Sequence, residues 1–192
     1  LNIAMGTHDR QKGSKKTNNP HEPDVSSYEH LAWYESSRRK IGEHGIFDLY
    51  AVERRSASEQ TGEFLLVDAP DWVTVVPYIE DENAFIMVRQ FRHGSGEITL
   101  EFPAGVVARG EHPETAASRE LLEETGRSAG KVVSLGSVNP NPAFMTNRMH
   151  TFLATGLRRT HEPNLDELEL LDIEIIPVER VVSEMGSPPF VN

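Results

Sequence analysis

The chain has 192 residues and a net charge of −11, from 19 Lys and Arg against 30 Asp and Glu. This length suits one domain with or without a tail, and the acidity argues against nucleic acid and against anionic membrane surfaces as partners. Because the chain has no cysteine, it cannot form disulfides, thiolate metal sites or a cysteine nucleophile, and we expect a cytoplasmic location. No apolar run reaches the roughly 18–20 residues of a membrane span.

Residues 1–27 are predicted to form a flexible N-terminal arm, because this stretch is rich in Lys, Asn, His, Gly and Pro and poor in large apolar residues. The chain starts at Leu1 rather than Met, so part of the arm is interpreted as vector-derived. Residues 28–192 are predicted to form one folded domain.

Alternating and β-branched segments separated by polar turns predict a series of strands. The predicted strands are 46–52, 64–67, 72–79, 84–91, 98–102, 132–138, 150–154 and 173–178. A helix is predicted over 113–125, with Pro113 in its first turn and Gly126 at its end. A second, amphipathic helix is predicted from the apolar residues Val178, Val181, Val182 and Met185. This order favours a mixed α/β (α+β) fold in which a mixed sheet packs between helices.

Three carboxylates on the first helix form the main functional signal. Glu120, Glu123 and Glu124 stand at i, i+3 and i+4, so they share one helix face. At ~4 Å separation, two such charges repel by several kcal/mol at an effective dielectric of about 20. Arg119 can pair with Glu123, but one arginine cannot neutralise three acids. The pattern is therefore typical either of a solvated acidic face or of a divalent cation site, for which oxygen ligands select Mg²⁺ or Mn²⁺.

The residues before this helix favour the metal site. A strand ends in the sequence Glu-Phe-Pro-Ala-Gly at 101–105, and a glycine there allows the backbone to approach a ligand closely. The whole segment resembles the Nudix box, G-x5-E-x7-R-E-U-x-E-E-x-G-U, where U is a bulky apolar residue. Arg127 departs from the last apolar position. The matching residues are Gly105, Glu111, Arg119, Glu120, Leu121, Glu123, Glu124 and Gly126.

The resemblance implies an α/β/α sandwich that hydrolyses a nucleoside diphosphate linked to another group. It implies that Arg119 orients the glutamates by ion pairing and that Glu111 is a structural acid. The implied metal ligands are Glu120 and Glu124, assisted by Glu123, the carbonyl of Ala104 and Glu169.

Features outside the box are similar to the branch of the family that cleaves ADP-ribose and related nucleotide sugars. These features are the 101–105 segment, the Arg-Gln-Phe-Arg stretch at 89–92, and Pro142, fifteen residues after Arg127. The resemblance implies a general base on an acidic loop at 162–172, where Glu167 matches best and Glu162 or Asp166 are alternatives. A charged surface loop would show the same composition.

Substrate contacts are predicted at Arg92, through its planar guanidinium, and at the aromatic residues Trp33, Trp72 and Phe144. A surface arginine at a strand end explains Arg92 equally well. Core packing is the commoner fate of residues such as Trp72 and Phe144, which stand in apolar stretches, so Trp33 and Tyr34 are the better stacking candidates. The resemblance further implies a homodimer in which the part at 28–68 contributes to dimerisation and contacts the base.

The first functional hypothesis is a Mg²⁺-dependent nucleotide-sugar pyrophosphatase that converts ADP-ribose to AMP and ribose 5-phosphate. GDP-mannose or another nucleoside diphosphate sugar is the alternative within the same class. A hydrolase of dinucleoside polyphosphates or damaged triphosphates and a non-catalytic Nudix ligand sensor are the further alternatives.

Overall fold

A computed structural model of the chain describes residues 25–165 and 167–190. Most of the predicted arm, and Asp166 among the candidate bases, lie outside the described residues. In the described part of the chain, no helix has the length and apolar character needed to cross a membrane.

The N-terminal region begins with a 3-10 helix, Val25–Leu31, and continues as a three-stranded antiparallel sheet. Its strands, in spatial order, are β1 (Trp33–Glu43), β2 (Asp48–Ser56) and β3 (Thr61–Asp68). β1 was not predicted from the sequence. Almost every residue of this strand is exposed, so backbone pairing with β2 forms it without a hydrophobic alternation that a sequence could show.

The central sheet has seven strands: β4 (Trp72–Ile79), β5 (Ala84–Arg92), β6 (Glu97–Glu101), β7 (Ala104–Val106), β9 (Lys131–Val138), β10 (Met149–Thr155) and β12 (Leu171–Pro177). Their order is β12-β5-β4-β10-β9; β6 pairs with β5, and β7 pairs with β4. β4 and β10 are parallel and the other pairs are antiparallel, so the sheet is mixed as predicted. Two short strands, β8 (Arg127–Ser128) and β11 (Arg158–Arg159), pair separately.

Two helices cover the sheet from opposite faces. Helix α1 (Pro113–Thr125) has the predicted bounds and buries Ala116, Ala117 and Leu121 in a core with Val73 and Val75. On β4, Ile79 shares the face of Val73 and Val75, and its register partner on β5 is Ala84, which therefore lies on the same face. Because side chains alternate along a strand, Met87 points to the opposite face of the sheet. There a second core contains Met87, Leu100, Ile176, Val181 and Phe190.

The second helix, α2 (Val178–Glu184), is shorter than predicted, and its predicted apolar stripe is partly wrong. Val181 is buried, whereas Val182 and Met185 are exposed. The physical reason is the chain after the helix. It turns back through Gly186, whose N–H donates to the Phe190 carbonyl, and Phe190 packs into the core that contains Val181.

Candidate active site

Local sequence fixes both ends of α1. His112 is the N-cap, where its Nδ1 accepts a hydrogen bond from the Glu114 N–H (3.4 Å), and Pro113 begins the helix. Gly126 ends it with φ of 67°, and its N–H donates to the Leu122 carbonyl (2.8 Å). The carbonyl of His161 lies where a Gly126 side chain would be, so the chain that leads into the acidic loop packs directly on the helix end.

Glycine at position 105 lets the backbone of β7 lie directly against Glu120. A Cβ built on Gly105 would overlap the Glu120 carboxylate. β7 is held there by pairing with β4, where Thr74 is opposite Ala104 and Val73 is opposite Gly105. The sequence predicted that Gly105 would let the backbone approach a bound ligand. In the structure the backbone instead lies against Glu120, which is itself a candidate for binding the metal ion.

Arg119 connects the acids of the site. Its Nη1 donates to Glu120 (2.7 Å) and Glu123 (2.8 Å), its Nε and Nη2 donate to the two Glu111 oxygens (3.1 Å each), and its Nη2 also reaches the Val106 carbonyl (3.0 Å). These contacts engage all five N–H groups of a guanidinium. Hydrogen bonds from Arg119 and from the Ala108 amide lower the pKa of Glu111. Arg119 therefore orients the acids from one side and has no donor left for a ligand.

Glu124 is the least usual group of the site. Its side chain lies on the buried side of α1 and is 1% exposed, and neither carboxylate oxygen has a hydrogen-bond partner among the described residues. Burial, followed by the charges of Glu169 and Glu120, raises the pKa of Glu124 to about 8, although the Ala104 N–H, which is nearby but too poorly aligned for a hydrogen bond, and the charge of Arg92 act in the opposite direction. Burial also raises the pKa of Glu120, while Arg119 opposes that shift. Buried carboxylates without partners are costly unless a proton or a cation compensates them.

A groove of about 460 Å³ lies between β7 and the polar face of α1. Glu169 from the acidic loop lines this groove together with Glu120 and Glu123 of the helix. Asn164 also lines it, and its N–H donates to the Glu123 carbonyl (2.8 Å), which attaches the loop to the helix. The sequence analysis did not single out Asn164. The groove is lined by Ala104, Gly105, Val106, Ala108, Arg119, Glu120, Glu123, Asn164 and Glu169.

A second cleft of about 400 Å³ adjoins the groove, because Glu169 lines both. The exposed side chains of Phe91, Ile98 and Leu170 give it a mainly apolar wall. Its polar groups are Arg89, Gln90, Glu169 and Asp172. The groove and the cleft together form one candidate site, of which the groove is the acidic half and the cleft the apolar half.

The predicted contact residues differ in where they lie. Arg92 is near the site: its charge acts on Glu124, and its guanidinium is paired with Glu101. Trp33 packs edge-to-face on Phe64 in the N-terminal sheet, with ring centroids 5.3 Å apart. Trp72 and Phe144 are each 44% exposed. None of these three aromatic residues lines the groove or the cleft within one chain.

The candidate bases also separate. Glu167 is exposed and lines neither the groove nor the cleft, whereas Glu169 lines both. Glu162 pairs with Arg159 (2.8 Å).

Comparison with known proteins decides the family. Residues 69–190 match the family model described as the NUDIX domain, and this range contains β4 to α2 and every acid discussed above. The chain belongs to the Nudix family. The fold class and the family predicted from the sequence are confirmed.

Named relatives agree with this assignment. The chain is 33% identical over 144 residues to the "ADP-ribose pyrophosphatase" of Bacillus subtilis (strain 168), covering 74% of this chain and 77% of the relative. It is 49% identical over 88 residues to the "ADP-sugar pyrophosphatase" of Mus musculus, covering 44% of this chain and 40% of the relative. A solved structure, "Crystal structure of ADP compounds hydrolase", shares the fold with a TM-score of 0.73 at 21% identity, covering 83% of this chain and 86% of that one.

Nudix hydrolases generally use divalent metal ions, and the residues present suit one. Two observations support the fit: the buried, unpartnered oxygens of Glu124 and the close seat of Glu120 on Gly105. Among residues 25–165 and 167–190, no three acidic or histidine side chains are already arranged around a common metal position. Arg119 contacts one carboxylate oxygen of Glu120 and one of Glu123, so it can orient both side chains while their second oxygens bind an ion.

Proposed function

We propose that this Nudix protein hydrolyses the pyrophosphate bond of a nucleoside diphosphate sugar, with ADP-ribose as the preferred substrate and AMP and ribose 5-phosphate as products. The observation that carries the proposal is a groove large enough for a pyrophosphate, lined by Glu120, Glu123 and Glu169, with the buried Glu124 close enough to feel the charges of Glu120 and Glu169. The names of the bacterial and mouse relatives support the choice of substrate.

The charge of the groove determines what must accompany the substrate. A pyrophosphate is densely anionic and would be repelled by Glu120, Glu123, Glu124 and Glu169. We propose Mg²⁺ as the physiological ion, with Mn²⁺ as a substitute; Glu120, Glu123, Glu124 and the Ala104 carbonyl would hold it. When bound, such an ion supplies positive charge against the phosphates and lowers the pKa of water.

The chain itself supplies orientation and proton transfer. Arg119 holds Glu120 and Glu123 at the entrance of the groove, and Asn164 ties the acidic loop to α1. We propose Glu169 as the general base that accepts a proton from the attacking water, because Glu169 lines the groove and Glu167 does not. A general base must lie within hydrogen-bond distance of the water from which it takes a proton. Glu167 would come that close only if the loop moved.

We propose that the pyrophosphate of the substrate binds in the acidic groove. Either the nucleoside or the sugar that the pyrophosphate joins would then bind in the adjoining apolar cleft. The cleft wall formed by Phe91, Ile98 and Leu170 suits the face of a planar or weakly polar group.

We further propose that the protein is a cytoplasmic homodimer joined through the part at 28–68. β1 is exposed along almost its whole length, and the N-terminal sheet carries exposed apolar side chains such as Tyr34, Ile41 and Leu65. Apolar patches of this kind commonly mark protein interfaces. Sedimentation equilibrium of the wild type and Leu65→Asp tests the proposal: a wild type that sediments as a monomer contradicts it.

A substrate panel tests the function. ADP-ribose, GDP-mannose, a dinucleoside polyphosphate and a nucleoside triphosphate are incubated with the protein and Mg²⁺, with and without chelator. We expect chelator-sensitive release of AMP from ADP-ribose. GMP from GDP-mannose would change the substrate and keep the reaction, whereas turnover of the polyphosphate or triphosphate alone would replace the proposed class. Tight binding of a nucleotide sugar without turnover would identify a sensor.

A further inference from the structure

Arg92, at the end of β5, is held by an ion pair across the β5–β6 hairpin. Its Nε and Nη2 donate to the two carboxylate oxygens of Glu101, each at 2.7 Å, in the parallel two-bond geometry that arginine forms with carboxylates. In the strand register Arg92 is opposite Glu97, and Glu101 is opposite Val88. The Arg92 side chain therefore lies back along the hairpin to reach its partner.

Glu101 is itself held in place by burial and by a hydrogen bond from Thr99. Its side chain is 6% exposed, and the hydroxyl of the fully buried Thr99 donates to its Oε1 (2.8 Å). Thr99 and Glu101 stand two residues apart on β6, so both point to the same side of the strand. The three residues form a chain of contacts from the buried hydroxyl to the guanidinium.

Arg92 does not itself line the groove, but two observations connect this chain of contacts with it. Arg92 acts electrostatically on Glu124. Glu101 ends β6 three residues before Ala104, which begins β7 and lines the groove. The Glu101 carboxylate, which binds Arg92, and the Gly105 backbone, which lies against Glu120, thus belong to one short segment, 101–105.

The two arginines near the acids differ in their capacity to bind an anion. Arg119 gives all its N–H groups to protein acceptors. Arg92 gives two of its three nitrogens to Glu101, and its side chain remains 35% exposed. Of these two residues, Arg92 is the one that can contact a phosphate.

We propose that Glu101, supported by Thr99, is a positioning residue that presents the exposed edge of the Arg92 guanidinium to a phosphate oxygen of the bound pyrophosphate. The proposal rests on the proposed function for the identity of the anion. Glu101 itself does not touch substrate or metal. A residue of this kind limits the rotation of a long side chain and so reduces the entropy lost when the anion binds.

Isosteric variants test the proposal. Glu101→Gln replaces one acceptor oxygen with an NH₂ group facing the guanidinium, and Thr99→Val removes the hydroxyl while keeping the shape. Thr99→Ser is the conservative rescue. Glu97→Gln is the matched control, because Glu97 is an exposed glutamate on the same strand and the register partner of Arg92.

We expect Glu101→Gln to raise KM for ADP-ribose at least tenfold with a smaller change in kcat. Thr99→Val should raise KM less, and Thr99→Ser and Glu97→Gln should remain near wild type. The double variant Glu101→Gln/Arg92→Gln should be no worse than Arg92→Gln alone, because both changes remove one interaction. Equal KM values for wild type and Glu101→Gln, or fully additive effects in the double variant, would overturn the proposal.

A binding measurement separates this proposal from the proposed reaction. Calorimetric titration of inorganic pyrophosphate into the protein with Mg²⁺ requires no turnover. We expect weaker pyrophosphate binding in Glu101→Gln and unchanged binding of Mg²⁺ alone. If the wild type fails to cleave nucleotide sugars but shows this difference, the reaction is wrong and the positioning role stands. Equal binding by both proteins, or no binding by the wild type, would refute the positioning role.

Discussion

Replacing Glu124 with Gln should stabilise the metal-free protein at alkaline pH. The folded protein favours the protonated form of Glu124, since burial raises its pKa from 4.5 to about 8. Between these two values the unfolded chain has released the proton and the folded chain retains it. Unfolding stability therefore falls as pH rises from 4.5 to about 8 and then levels off.

The size of this loss follows from the two pKa values. At about 1.4 kcal/mol per pH unit, the difference between 4.5 and about 8 gives a ceiling of about 5 kcal/mol. Gln has nearly the shape of protonated Glu, so Glu124→Gln removes the pH-dependent loss and keeps the packing. At pH 9 without metal, the variant should exceed the wild type in unfolding free energy by several kcal/mol, whereas at pH 4 the two should be equal.

Urea denaturation of chelator-treated protein at pH 4, 7 and 9 measures this difference. Glu114→Gln is the control, because Glu114 is an exposed acid on the same helix. Adding Mg²⁺ at pH 9 should stabilise the wild type and leave Glu124→Gln unchanged. A Glu124→Gln variant that is less stable than the wild type at pH 9 without metal would refute the reasoning that the carboxylate is buried and unpaired.

Four further substitutions test individual parts of the site. Gly105→Ala should keep the melting temperature and weaken Mg²⁺ binding at least tenfold by calorimetry, because the new Cβ displaces the Glu120 carboxylate; unchanged affinity would contradict this. Arg119→Lys should lower the urea-unfolding free energy by about 1–3 kcal/mol, since one ammonium cannot satisfy the acceptors that the guanidinium holds; a wild-type unfolding midpoint would argue against that network. Glu169→Gln should lower kcat about a hundredfold and Glu167→Gln less than threefold; the reverse order in steady-state assays would make Glu167 the base.

Local signals explain which parts of the fold could be predicted. Helix α1 was predicted with its bounds because Pro113 and Gly126 mark its ends by their own backbone preferences. β1 and β7 were not predicted, because pairing with β2 and β4 creates them and their residues carry no alternation. The stripe on α2 failed at Val182 and Met185, because the chain turns back after the helix and Phe190 packs in the core with Val181.

The site shows the same division. Spacing along one helix was enough to bring Glu120, Glu123 and Glu124 together. It did not show that Glu124 is buried, because that depends on the sheet against which α1 packs. The Glu101 contact with Arg92 was also missed, since it depends on the register of the β5–β6 hairpin.

The most direct test of the account is AMP release from ADP-ribose by the wild type, Glu124→Gln and Glu114→Gln, each with Mg²⁺ and each with chelator. We predict turnover by the wild type and Glu114→Gln that chelator abolishes, and a loss of at least a thousandfold in Glu124→Gln with its fold intact. Undiminished AMP release by Glu124→Gln, or by the chelator-treated wild type, would contradict the claim that this buried glutamate holds the ion required for pyrophosphate cleavage.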